Sequence, residues 1–237
     1  ELAKNSGVSD ATVIRMCHHL GYKGYYQFRL LLAKEVGRLD TTEEGDLDAQ
    51  DNGIQRIFQK YADDLLAIGR GIDEQEIRTC VKLIKGCRQA YVIAVGNTMP
   101  LALYMGFRLN RLGVRCIYDI VPEYYLNHIN MAEPRDVLIA LSQSGSSRQV
   151  LQGIELAREK GMKVIAITAY KHSPVSEMAD HTLISIGNKE SFNYYKNYAH
   201  LRETAVIDAL LELLTNWEDI QKSGADKPEI ILAESKY

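Results

Sequence analysis

Five short apolar runs constrain this chain more than any other feature: AYVIAVG (Ala90–Gly96), VRCIYD (Val114–Asp119), DVLIALS (Asp136–Ser142), KVIAITA (Lys163–Ala169) and HTLISIG (His181–Gly187). Between them lie stretches with helical spacing at Met99–Leu112, Glu123–Met131, Ser147–Lys160 and, shorter, near Val175–Met178. A strand that is apolar on both sides has to be covered on both faces, and helices alternating with such strands supply the cover. The pattern predicts an α/β fold: a three-layer, flavodoxin-like parallel sheet of five strands. Two amphipathic stretches, about Ile54–Gly69 and Glu74–Lys85, precede it, and a long one, about Tyr198–Trp217, closes it. With 237 residues, 46% of them hydrophobic, the chain is ample for such a core.

The head of the chain follows a different rule. ELAKNSGVSDATVIRMCHHLGYKGYYQFRLLLAKEVGR reads as short helices separated by turns. Gly7 can supply the first turn, Ser9 is a good N-cap for a helix beginning at Asp10, and Gly21 ends that helix. Val13, Met16, Cys17 and Leu20 fall on one line of that helix and predict its buried side, leaving Ala11, Thr12, Arg15, His18 and His19 outside. TTEEGDLDAQDNG (Thr41–Gly53) is acidic and glycine-punctuated, a linker composition. The expected organisation is a small all-α segment over 1–39, a linker over 40–53 and the sheet domain over 54–237. Charge divides the same way. Residues 1–39 hold six basic and three acidic side chains, against 22 basic and 28 acidic in the rest, so a basic head sits on an acidic body. That asymmetry points to a polyanionic partner for the head.

Two strand ends carry hydroxyl groups where most strand-to-helix turns need a single glycine. They are VGNTMP (Val95–Pro100) and SQSGSS (Ser142–Ser147). In a parallel sheet, ligands bind outside the carboxyl ends of the strands, near the point where strand order reverses. Both stretches run directly into a helix, whose first N–H groups and dipole favour an anion. Serine and threonine hydroxyls add neutral donors, and Gly145 lets the backbone come close. The pattern predicts a small phosphorylated ligand; the plain alternative is that these serines only cap the helix. No GxGxxG or GxxxxGK[ST] is present, which argues against a dinucleotide or nucleoside-triphosphate site.

Cys17, Cys80, Cys87 and Cys116 are scattered, with no CxxC and no histidine at ligand spacing. This fits a reduced, cytoplasmic protein without a metal site. No apolar run approaches a membrane span, and no cofactor is expected.

The succession strand–GNT–helix and strand–SQSGSS–helix resembles the sugar isomerase (SIS) domain over about Ala90–Ile186. The head resembles the helix-turn-helix of RpiR-type regulators, whose LA-x(4)-V-S-x-x-T-V-x-R-x-C-x-x-L-G pattern it follows nearly throughout. Together, in this order, they resemble RpiR-type transcription regulators. The resemblance implies that Thr98, Ser142, Gln143, Ser144 and Ser147 hold the phosphate of a phosphorylated sugar. It places Glu123, His200 and Glu203 against the sugar itself. Ser146 departs from the pattern, since many such loops carry Glu there. On the head, Ser9, Thr12 and Arg15 lie where such motifs reach base edges, with Arg15 suited to guanine. Lys23 and the Gly24 backbone would lie near phosphates. His18 and His19 stand where the family usually has basic residues, so DNA affinity should rise as pH falls.

An isomerase would need an acid and a base beside the sugar. No such pair is marked in the sequence, so no catalytic residue is assigned. A regulator uses both halves. The expected protein is a homodimer or higher oligomer that binds a duplex DNA operator and responds to a sugar phosphate, as a repressor of sugar or amino-sugar catabolic genes.

Overall fold

A computed structural model describes residues 2–25, 27–28, 31–32, 53–185, 200–215, 224 and 227–234. The chain divides into two compact units, residues 1–57 with 190–199, and residues 58–189 with 200–237.

In the first unit, α1 (Leu2–Asn5) and α2 (Asp10–His19) flank a turn in which Gly7 adopts φ +64°. Ser9 caps α2, accepting the Thr12 N–H at 3.3 Å. A small cluster of Ala3, Val13 and Cys17, with Tyr22 and Phe28 against it, holds the helices together. Met16 and Leu20, expected on the same buried line, are exposed. The cluster reaches only the Val13–Cys17 edge of α2, so the apolar stripe is wider than the contact.

In the second unit, α3 (Gly53–Gly71, its first residues in the other unit) and α4 (Glu74–Gly86) precede the sheet. The order is then β1 (Ala90–Ala94), α5 (Met99–Arg111), β2 (Cys116–Ile117), α6 (Pro122–Asn130), β3 (Val137–Leu141), α7 (Arg148–Glu159), β4 (Lys163–Thr168), α8 (Pro174–Met178), β5 (His181–Ile184), α9 (Leu201–Leu214) and α10 (Lys227–Glu234). The five strands lie parallel in the order β2-β1-β3-β4-β5, with Ala90–Ala94 beside Val137–Leu141 and Val137–Leu141 beside Lys163–Ile167.

Side-chain alternation along each strand builds two cores. Ala90, Val92, Ala94, Val137, Ile139, Leu141, Ile165 and Ile167 face one side, with α4, α5 and α9 over them. Tyr91, Ile93, Leu138, Ala140, Val164 and Ala166 face the other, under α6, α7 and α8. These are the three layers read from the sequence.

The edges are weaker than the pattern suggested. Of Val114–Asp119 only Cys116–Ile117 pair, half-buried, because β2 has a neighbour on one side alone. Among the described residues the last long helix starts at Leu201 rather than Tyr198; 198–199 and 216–217 lie outside the described residues, as does the expected linker apart from Gly53, which opens α3. No helix of the described residues is long and apolar enough to cross a membrane.

Candidate functional site

Strand order reverses between β1 and β3: the chain runs outward from β1 to β2, then returns across β1 to β3. The crevice at the carboxyl ends of such a pair is where a parallel sheet opens a site. Both hydroxyl stretches are there, one after each strand.

After β1, residues Gly96–Thr98 form a single 3-10 turn with Gly96 at φ +63°. Thr98 stands at the N-cap of α5, yet its hydroxyl does not cap that helix. It is buried and donates toward Val95 O at 3.0 Å and Leu141 O at 3.4 Å. Thr98 thus ties the end of β1 to the end of β3. A hydroxyl engaged in this way has less to give a ligand than its position in the sequence implied.

After β3, Ser142 is almost fully buried and its Oγ lies 3.2 Å from the Ser147 Oγ across the loop. The Gly145 N–H closes the turn onto Ser142 O at 2.9 Å. Ser144 accepts from both the N–H and the hydroxyl of Ser146, at 3.4 and 3.2 Å, and keeps its own proton for a further acceptor. Ser147 is the N-cap residue of α7, and its side chain makes no cap hydrogen bond. The donors of the first turn of α7 are therefore not closed off by a serine, and the hydroxyls gather beside them.

Gly145 is fixed by geometry as well as by conformation. Its φ is +61°, and a Cβ there would lie 2.1–2.2 Å from Ser173 Oγ and Cβ and 2.9 Å from Thr168 Oγ1. Gln143 is held at its carbonyl by Ala169 N–H at 3.1 Å.

The residues nominated for the sugar separate into two groups. Glu123 is exposed in the first turn of α6 and makes no hydrogen bond or ion pair with the other candidates among the described residues. His200 and Glu203 come together at the start of α9. His200 lies not on the helix but at its N-cap, left-handed at φ 48°, the one non-glycine residue so placed among those described. Such a conformation costs roughly 1–2 kcal/mol, which surrounding contacts must offset. Its Nδ1 is buried, 4.0 Å from Glu203 Oε2, and makes no hydrogen bond among the described residues. Glu203 is itself only 3% exposed, with Oε1 accepting the Ser185 hydroxyl at 3.0 Å. It faces Ser185 and His200 rather than an open surface.

Ser185 was not foreseen. It follows β5, is fully buried, and its N–H reaches Thr168 O at 2.9 Å. A lone serine in SIGN carries no local signal; only the packing of α9 on the sheet gives it a partner. The Arg202–Asp64 pair, two nitrogens on one carboxylate oxygen at 2.7 and 3.2 Å, was equally invisible.

Burial pushes the Cys80 thiol up to about 12, with Glu76 adding to the effect, and burial does the same to Cys116. Thiols so shifted are neutral near pH 7 and poor nucleophiles. No group of three His, Cys, Asp or Glu side chains among the described residues could hold a metal ion.

In the first unit, Ser9 Oγ and Thr12 Oγ1 lie 3.0 Å apart, and Arg15 Nη2 reaches Thr12 Oγ1 at 3.3 Å. The three side chains form a line along the N-terminal part of α2, with Ser9 and Arg15 exposed. His18 and Lys23 are exposed too.

Family comparison places both halves. The SIS domain model matches residues 83–213, more than half the chain, and the helix-turn-helix domain model of the rpiR family matches residues 1–38. The chain belongs to the RpiR family. Among relatives, it is 28% identical over 227 residues to an uncharacterized HTH-type transcriptional regulator of Haemophilus influenzae, covering 92% of this chain and 78% of that protein. It is 20% identical over 234 residues to the HTH-type transcriptional regulator RpiR of Escherichia coli, covering 95% and 79%. Among solved structures, Vibrio vulnificus NanR complexed with ManNAc-6P has the same fold, with a TM-score of 0.78 at 24% identity, covering 100% of this chain and 86% of that one. An RpiR-family chain with its helix-turn-helix is a transcription regulator, and the SIS fold is its second part.

Proposed function

We propose that this RpiR-family regulator binds a sugar phosphate in the crevice between the loops after β1 and β3, and that occupancy alters its binding to a duplex DNA operator. One observation carries the reading: Ser147 occupies the N-cap position of α7 without capping it, its hydroxyl beside that of the buried Ser142. Ser142, Gln143, Ser144 and Ser147 take the phosphate, with the first N–H groups of α7 and their dipole adding to the attraction. Thr98 holds the two loops at their spacing. His200 reads the sugar, with Glu123 at the rim and Glu203 behind. A neighbour of the same fold bound to ManNAc-6P supports a phosphorylated sugar as the effector class. No cofactor is needed.

Residues 1–39 form the DNA-binding domain, 40–53 the linker and 54–237 the effector domain. Arg15 reads a base edge, supported by Ser9 and Thr12, while His18 and Lys23 lie toward the phosphate backbone. A homodimer presents two heads to a two-fold operator in the cytoplasm, and effector binding releases it, the behaviour of a repressor. Arg15→Ala should lower operator affinity by roughly 1–3 kcal/mol and relax selectivity at one base pair per half-site. Unchanged affinity and selectivity in a gel-shift titration would remove α2 as the reader. The protein does not turn its ligand over: it joins the SIS fold to a helix-turn-helix, which a regulator uses and an isomerase does not. NMR of hexose, amino-sugar and pentose phosphates incubated with the protein should show each unchanged; conversion lost in Glu203→Gln would establish an isomerase instead.

A thermal-shift panel of those phosphates tests the effector class, because a ligand that prefers the folded state stabilises it by mass action.

A further inference from the structure

The first turn of α9 gathers three constraints within four residues. His200 is left-handed, Glu203 accepts a hydrogen bond from Ser185 after β5, and Arg202 grips Asp64 on α3. The Arg202 and Asp64 side chains are only 14% and 18% exposed, and Nη2 lies 2.7 Å from Oδ2. A charged pair so shielded is stronger and more geometrically exacting than a surface ion pair.

A continuous set of hydrogen bonds leads to this turn from the hydroxyl loop. Thr168 Oγ1 donates to Gln143 O at 3.4 Å. Ser185 N–H donates to Thr168 O at 2.9 Å, and the Ser185 hydroxyl donates to Glu203 at 3.0 Å. Arg202 precedes Glu203 and reaches Asp64. Of the 19 residues of α3, Ile68 alone is buried, so Asp64 is one of few fixed points on that helix. The chain before α3 is the linker and, before that, the helix-turn-helix.

We propose that the Asp64–Arg202 ion pair is the joint through which occupancy of the hydroxyl loop is passed to α3. This rests on the reading of that loop as the effector site. Asp64 and Arg202 touch no ligand; they are positioning residues. A change at Gln143 or Ser144 on phosphate binding moves Thr168 and Ser185, resets the first turn of α9, and shifts Asp64 with it. Removing either partner of the joint tests it.

Hydrogen–deuterium exchange on the full chain, followed by mass spectrometry, reads both ends at once. The probes are inorganic phosphate and ManNAc-6P, and the variants are wild type, Asp64→Asn, Arg202→Lys and the exchanged pair Asp64→Arg with Arg202→Asp. In wild type, at least one probe should slow exchange in 142–147 and change exchange in 58–71 by roughly fivefold, the lower end of ordinary coupling. In Asp64→Asn and Arg202→Lys the loop should stay protected while the response of 58–71 is lost, and the exchanged pair should regain part of it. A purely structural ion pair would lower the melting temperature of Asp64→Asn yet leave the response of 58–71 to the probe intact. That result, or a protected loop with no response of 58–71 in wild type, overturns the joint. A loop protected by neither probe overturns the effector site itself, and the joint with it.

Discussion

The loops after β3 and β4 are both serine-bearing, both open a helix at the same edge of the sheet, and do opposite things. After β4, Ser173 accepts the Ser176 N–H at 3.3 Å while the Ser176 hydroxyl accepts the Ser173 N–H at 2.9 Å, a complete capping box. Pro174 occupies the first helical turn, and the α8 terminus closes on itself. After β3, four serines stand around Gly145 and none caps α7. A serine at a helix start is thus a cap only when its hydroxyl turns back onto its own helix. Where hydroxyls instead face one another beside N–H groups that no serine closes off, the terminus keeps donors that an anion can accept.

The largest effect that would break the comparison is at the contact between the loops. Gly145→Ala combines a left-handed backbone with a Cβ 2.1–2.2 Å from Ser173. It should destabilise the protein by about 2–5 kcal/mol in denaturant unfolding and abolish effector binding. Gly96→Ala has a similar φ of +63° but nothing within 4 Å of its Cβ, so only the strain of about 1–2 kcal/mol should appear. Equal losses at the two glycines would mean that the packing of the two loops is unimportant. Next in size, Ser173→Ala removes a working cap and should cost about 1–2 kcal/mol of stability, read as a shift in denaturation midpoint with effector affinity nearly unchanged. The smallest effect is at Thr98. Thr98→Val deletes a hydroxyl directed at Val95 and Leu141 carbonyls and should cost about 0.5–1 kcal/mol, with effector affinity falling no further than that loosening explains. A roughly tenfold or greater loss of effector affinity in Thr98→Val would restore Thr98 as a direct phosphate donor.

What was legible in the sequence follows the range of the signals. The strands and helices were readable because short apolar runs and 3.6-residue spacing are local signals, and strands apolar on both faces leave one class of architecture. SQSGSS was readable because four hydroxyls beside one glycine exceed what a turn requires. The role of each hydroxyl was not. Thr98 looked like the serines, and only the register of β1 against β3 brings Leu141 O within its reach. Glu203 was placed correctly on α9, yet its pairing with Ser185 depends on how that helix lies on β5. His200 read as a helical residue because nothing in NYAHLRET marks a left-handed turn. Asp64 and Arg202 stand 138 positions apart, and no local pattern joins them. Residues 40–52 of the expected linker lie outside the described residues.

The central claim is that the loop after β3 holds a phosphate rather than capping a helix, and the double variant Ser142→Ala with Ser147→Ala tests it most directly. Its affinity for ManNAc-6P and for inorganic phosphate would be measured by calorimetry, alongside its unfolding free energy. A hydrogen bond to a charged group contributes about 1.5–3 kcal/mol, so each lost donor should weaken binding roughly ten- to a hundredfold, while stability stays within about 1 kcal/mol of wild type. Binding equal to wild type together with a cap-sized loss of stability, like that expected of Ser173→Ala, would contradict it.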